Sequence, residues 1–177
     1  MKSSVCIEMI YLEYPFLERI EKAAQAGFDA VEFWNWDNKD LAAIRAAVQK
    51  AGIGIASFQA NLGGTLIHPD QRQDFVAAID QSLARAREMA APTLFLLTDE
   101  LGEDRTVRFQ YPGLSHEAKY QSVYDGLTAI APLAEKAGIT LLLEALNIRV
   151  DHPGYFLNHS ALAFELVRAI NSPRIRM

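Results

Sequence analysis

The stretch Ile139-Thr-Leu-Leu-Leu-Glu144-Ala-Leu-Asn147-Ile-Arg149-Val-Asp151-His152 sets a carboxylate at the end of an apolar run and follows it with amide, guanidinium, acid and imidazole groups. Ligands of parallel α/β folds gather at the C-terminal ends of strands, so Glu144 stands where a reacting group belongs. Desolvation by neighbouring strands raises the pKa of a lone carboxylate, whereas a bound divalent cation holds it ionised. The competing expectation is structural: Glu144 pairs with Arg149 or caps a nearby helix.

Other groups fall at comparable places. Phe33, Trp34 and Trp36 follow the second apolar run, where aromatic faces either wall a sugar-sized pocket or pack. Asn61 ends the third run and is a candidate donor to substrate hydroxyls. Glu8 and Glu32 lie in or at the ends of the first two runs, as members of structural ion pairs or of a polar mouth. His68, before Pro69, reads as a helix-start residue, and His116 and His159 as solvated helix starts; His152 ranks below Glu144. Asp99, Glu100, Glu103 and Asp104 read as a solvated acidic loop. Gly52-Ile-Gly54 lacks a third glycine and precedes a strand, so it is no dinucleotide fingerprint, and no GxxxxGK[ST] loop occurs.

The elements that must position these groups alternate regularly. Val5–Ile10, Ala30–Trp34, Ile53–Phe58, Thr93–Leu97 and Ile139–Leu143 read as strands, with Ile175–Met177 opening a sixth. Between them apolar residues recur at helical spacing: Leu41, Ile44, Val48 and Ala51; Phe75, Ile79, Leu83 and Ala86; Tyr120 to Ala137; Leu162, Leu166 and Ile170. AQAGF, QKAGI and EKAGI each end a helix, with Gly27, Gly52 and Gly138 supplying the left-handed residue. Pro92 and Pro173 stop the other two helices, Pro15 and Pro69 suit first turns, and Ser115 or Ser160 suit N-caps. The longest connection, Thr98 to His116, is of a length that is commonly functional or mobile. Near-continuous apolar strands alternating with helices make an α/β fold with a parallel sheet. An open doubly wound sheet and part of an eight-unit barrel both fit; a full barrel takes about 250 residues.

Composition narrows the function. With 177 residues, half of them hydrophobic, one domain with a sizeable core is expected over 1–177. The net charge of −5 opposes phosphate-backbone binding, so no nucleic acid is expected as partner. No apolar run approaches the ~20 residues of a membrane span, and the N-terminus lacks a signal-peptide pattern. One cysteine, Cys6, excludes an internal disulfide framework or a cysteine-rich zinc module. A cytoplasmic protein acting on a small molecule is the resulting expectation.

The run LLLEALNIRVDHPGYFLNHSALAFELVRAINSPRIRM resembles hydroxypyruvate isomerases and their xylose-isomerase-like sugar isomerase and epimerase relatives. SVCIEMIY, the helix Phe16–Gly27 and GFDAVEFWNWDNKDL look like that family's opening units. The resemblance implies a TIM-type (β/α) barrel, of which this chain holds about five to six of eight strand–helix units, with a divalent metal, Mg²⁺ or Mn²⁺, at the C-terminal mouth. It implies that Glu144 is both metal ligand and catalytic acid–base group in an aldose–ketose type isomerisation through an enediolate. Asn147, Arg149, Trp34 and Asn61 are the accompanying candidates for substrate binding, Arg149 through a bidentate fork to a carboxylate. The family's other ligands come from its sixth to eighth strands, so the metal site is expected to be incomplete here and the chain to be a fragment of a longer enzyme. A non-catalytic open barrel that self-associates through its sheet edges, as a homo-oligomer, is the alternative. An abasic-site endonuclease needs histidines on the early strands and a basic groove, which this sequence lacks.

Overall fold

The structure, a computed structural model, describes residues 1–102 and 104–177. The element order is β1 (Ser4–Cys6), α1 (Phe16–Gln25), β2 (Ala30–Phe33), α2 (Leu41–Ala51), β3 (Gly54–Phe58), α3 (Arg72–Glu88), β4 (Thr93–Leu96), α4 (His116–Ala137), β5 (Thr140–Leu143), α5 (Ser160–Ile170) and β6 (Ile175–Arg176). A 3₁₀ turn, Pro69–Gln71, leads into α3, with the His68 ring accepting from the Asp70 amide at 3.3 Å.

The six strands pair in parallel, in the orders β1-β2-β3 and β4-β5-β6. An isolated parallel bridge, Gln59 with Phe95, joins the two triplets, and the Ala60 amide donates to Phe95 O at 2.9 Å. The six strands therefore follow one another in chain order around a curved wall, as in a barrel rather than a doubly wound sheet. Alternate residues divide between its faces. Val31 and Phe33 of β2, Leu94 and Leu96 of β4, and Leu141 and Leu143 of β5 are buried beneath the helices. The intervening Glu32, Phe95 and Leu142 are only half-buried on the other face. The core is thus the layer between sheet and helices, with Phe33 stacked on Phe58 at 5.2 Å and Ile44, Phe75, Ile79 and Leu127 sealing it from the helix side.

Three local expectations are corrected. The first strand ends at Cys6, not Ile10, because the Met9 amide turns back to Cys6 O at 3.1 Å. α3 and α5 turn off at left-handed residues, Ala90 (φ 55°) and Asn171 (φ 52°), and Pro92 and Pro173 follow two residues later. Ser160 is the first helical residue of α5 rather than its cap; His159 holds the cap position without a side-chain bond. Ser115 does cap α4, accepting from the Ala118 amide at 3.1 Å, and Gly27, Gly52 and Gly138 all have positive φ. Among the described residues no helix is long and apolar enough to cross a membrane.

Candidate active site

Register decides which polar side chains meet. Cys6, Glu32 and Ser57 are paired across β1, β2 and β3, and Phe95 with Leu142 across β4 and β5, so each set shares a face. Glu144, two residues beyond Leu142, returns to that face. It opens on a cleft of about 410 Å³ whose walls include Glu32, Trp34, Gln59, Arg105, Glu144 and His152.

Glu144 is held through its backbone. Its amide donates to Leu96 O at 3.0 Å, and its carbonyl accepts from the Tyr155 hydroxyl at 3.1 Å. The same hydroxyl accepts from the Thr98 amide at 2.9 Å, so one buried phenol ties the ends of β4 and β5 together. Burial pushes that phenol far above the ordinary tyrosine range. Asp99 adds a second tie: its Oδ2 accepts from Thr98 Oγ1 at 2.7 Å and from the Phe156 amide at 3.0 Å. Asp99 is buried, not part of a solvated acidic loop, and desolvation raises its pKa. Glu100 pairs with Arg108 on the surface, while Glu103 lies outside the described residues.

The electrostatics of the cleft are acidic. The Glu144 side chain reaches solvent at the mouth, yet the walls strip part of its water, and this desolvation is the main cause of its raised pKa. The nearby Glu32 charge raises it further and His152 opposes the rise. Desolvation likewise raises Glu32. Burial, reinforced by the Glu32 and Glu8 charges, pushes the Cys6 thiol up to about 11. Glu8 fulfils the ion-pair expectation with Lys39 at 2.8 Å. Glu32 instead faces Glu144 across the cleft.

Of the residues singled out from sequence, Glu32, Trp34, Glu144 and His152 line the cleft. Asn61 is buried, its Nδ2 donating to Leu97 O at 3.2 Å and its Oδ1 accepting from Leu97 N at 3.0 Å; it joins the ends of β3 and β4 and borders a smaller depression of about 260 Å³. Asn147 organises the loop after β5: its Oδ1 accepts from the Val150 amide at 3.0 Å and its Nδ2 donates to Asp151 at 3.1 Å. Arg149 is exposed and outside the cleft walls. Arg105 went unremarked in the sequence because it lies in the long β4–α4 connection, whose path no periodicity gives. His152 joins the cleft, and its Nδ1 lies 2.8 Å from Arg105 O.

The family model for the xylose isomerase-like TIM barrel matches residues 20–177. The chain belongs to that family. Its fold is therefore a TIM-type barrel, and six of the eight strands of such a barrel are present in these residues. The 2-oxo-tetronate isomerase of Cupriavidus necator is 30% identical over 160 residues, which are 86% of this chain and 57% of that protein. Hydroxypyruvate isomerase of Escherichia coli is 25% identical over 174 residues, 94% of this chain and 64% of that enzyme. The chain thus spans about three fifths of the length of these two relatives. Among solved structures, AP endonuclease, family 2 from Brucella melitensis superposes with a TM-score of 0.84 at 27% identity, covering 99% of this chain and 67% of that one.

Mg²⁺ and Mn²⁺ favour about six oxygen ligands in near-octahedral array. Among the described residues no three His, Cys, Asp or Glu side chains converge to hold a metal ion. Glu144 offers one suitable carboxylate, so these residues do not by themselves fit a closed divalent site.

Proposed function

We propose that this protein is an isomerase or epimerase of small hydroxy-carbonyl compounds, with residues 1–177 belonging to one barrel domain. One observation carries the reading: a backbone-pinned carboxylate, Glu144, stands at the C-terminal end of β5 on a cleft of small-molecule size. The names of the relatives support it.

In this reading Glu144 takes the proton from the hydroxyl-bearing carbon beside the carbonyl, leaving an enediolate. The proton returns to the former carbonyl carbon while the hydroxyl proton passes to the other oxygen. Ketone and aldehyde isomers interconvert with no net gain or loss of atoms. A raised pKa makes the ionised carboxylate a stronger base than a free glutamate, and that favours the transfer. Trp34 lines the same cleft. The resemblance adds Mg²⁺ or Mn²⁺ on Glu144, but with one carboxylate offered there, no proton transfer is routed through it. A cytoplasmic setting and a small-molecule partner belong to the same reading.

Incubation of the chain with hydroxypyruvate in D₂O tests it, with the C3 protons followed by NMR. Exchange above the buffer rate is expected, and Glu144→Gln lowers it by at least about 100-fold, the usual scale of general-base catalysis. Wild-type exchange at the buffer rate, or full exchange in the variant, overturns the proposal. Self-association is a second reading with its own support: β1 and β6 each have a strand neighbour on one side only among the described residues.

A further inference from the structure

We infer that Arg105 is the residue that anchors a substrate carboxylate in the cleft, and so sets any preference there for hydroxy-oxo acids over neutral hydroxy-carbonyl compounds; this rests on the isomerase reading above. Glu32, Glu144 and Asp151 line the cleft, and Arg105 is the one permanent cation among its described walls. An anionic substrate entering there meets three carboxylates, so it requires a fixed positive charge. A guanidinium fork meets a carboxylate through two parallel N–H donors.

The loop is built to hold Arg105 in place. An antiparallel bridge, Leu101 with Val107, closes its base, and the Gly102 amide donates to Thr106 O at 2.9 Å. At its tip Arg105 takes a left-handed conformation, φ 65°, with its amide donating to Gly102 O at 2.9 Å. Asp104 Oδ1 accepts from both the amide and the hydroxyl of Thr106 at 3.0 and 2.8 Å, fixing the turn from the other side. His152 then clamps the tip: a carbonyl can only accept, so Nδ1–H donates to Arg105 O at 2.8 Å.

Asp151 aims the side chain without consuming it. One of its carboxylate oxygens, Oδ2, is taken by Asn147 Nδ2 at 3.1 Å. The other stands 3.6 Å from Arg105 Nη2, a steering distance beyond hydrogen-bond contact. The Arg105 side chain is 46% exposed, and its guanidinium keeps its donors for a ligand. Asn147 thereby serves the site indirectly, as the group that orients Asp151. Arg149 lines no part of the cleft, so the carboxylate role expected of it passes to Arg105.

Calorimetric titration of the chain in Mg²⁺ buffer with hydroxypyruvate and with dihydroxyacetone tests the assignment. The two share a three-carbon hydroxyketone skeleton and differ in a carboxylate against a hydroxymethyl group. Hydroxypyruvate is expected to bind at least about tenfold more tightly, the scale of a charge-assisted contact. Arg105→Gln removes that preference and leaves dihydroxyacetone affinity and the thermal midpoint unchanged, while Arg149→Gln keeps it. If Arg105→Gln lowers the midpoint, Arg105→Lys carries the test: charge without the fork should forfeit most of the preference. A preference intact in both Arg105 variants, or no preference in a wild type that still shows Glu144-dependent exchange, overturns the Arg105 assignment alone. Binding of neither compound overturns the isomerase reading and the anchor together.

Discussion

Glu32 and Glu144 face one cleft from β2 and β5, and both hold their protons more tightly than free glutamates, chiefly through desolvation. A carboxyl whose folded pKa lies above its unfolded value contributes stability that is complete below the unfolded value. That contribution is lost as pH rises through the raised folded value. Glu32→Gln removes a charge whose formation the fold resists, so the variant should gain on the wild type as pH rises from the ordinary glutamate range towards neutrality. Surface acids with lowered values, Asp29, Asp104 and Glu117, slope the other way, but they are common to both proteins and cancel in the comparison. Urea midpoints of the pair across about pH 4 to 8 measure the gap; a gap that stays constant contradicts the assignment. At this scale Glu144 was legible because it closes an apolar run. Glu32 was not, because an acid inside a strand reads equally as an ion-pair member. Register alone sets it on the face of Glu144 instead of beside a lysine, as happens to Glu8.

The strand–helix units follow local patterns closely. β2 to β6 begin and end within a residue of their apolar runs, and the buried stripe of α3, Phe75-Ile79-Leu83-Ala86, is the one its spacing gives. Helix ends divide by chemistry. Gly52 and Gly138 occupy left-handed C-caps at no steric cost, but Ala90 adopts φ 55° with a β-carbon present. Left-handed backbone costs a non-glycine residue about 1–2 kcal/mol, and glycine's extra freedom in the unfolded chain returns about half of that. Ala90→Gly should therefore stabilise the fold by about 0.5–1 kcal/mol, and Gly138→Ala should destabilise it by about 1 kcal/mol. Urea denaturation measures both, and an Ala90→Gly variant weaker than wild type refutes the strain argument. The proline signals at Pro92 and Pro173 did mark chain reversals. They could not show that the turning residue stands two positions earlier, since a left-handed alanine has no sequence signature.

Taken as a whole, the molecule covers one face of its curved sheet with helices and leaves the other half-buried, with Glu32, Phe95 and Leu142 along it. β1 and β6 stand at the two ends of the strand order, each with a single strand partner among the described residues, and Met9 is exposed just beyond β1. Unpaired N–H and C=O groups beside apolar side chains template further strand pairing. Sedimentation velocity on this chain should show a weight-average mass that climbs with concentration. One monomeric species over the whole range tells against edge-mediated association.

Hydrophobic period, turn residues and one carboxylate behind an apolar run determined the α/β class, the strand–helix count and the place of Glu144, because each depends on neighbours within a few residues. Tertiary structure decided the rest. It chose barrel curvature over an open sheet through the Gln59–Phe95 junction between strand triplets. It used Asn61 and Asn147 as ties between loops and strand ends, and brought Arg105, rather than Arg149, into the cleft. Those outcomes depend on contacts between residues tens of positions apart, and the long β4–α4 connection carries no period from which its path could be read.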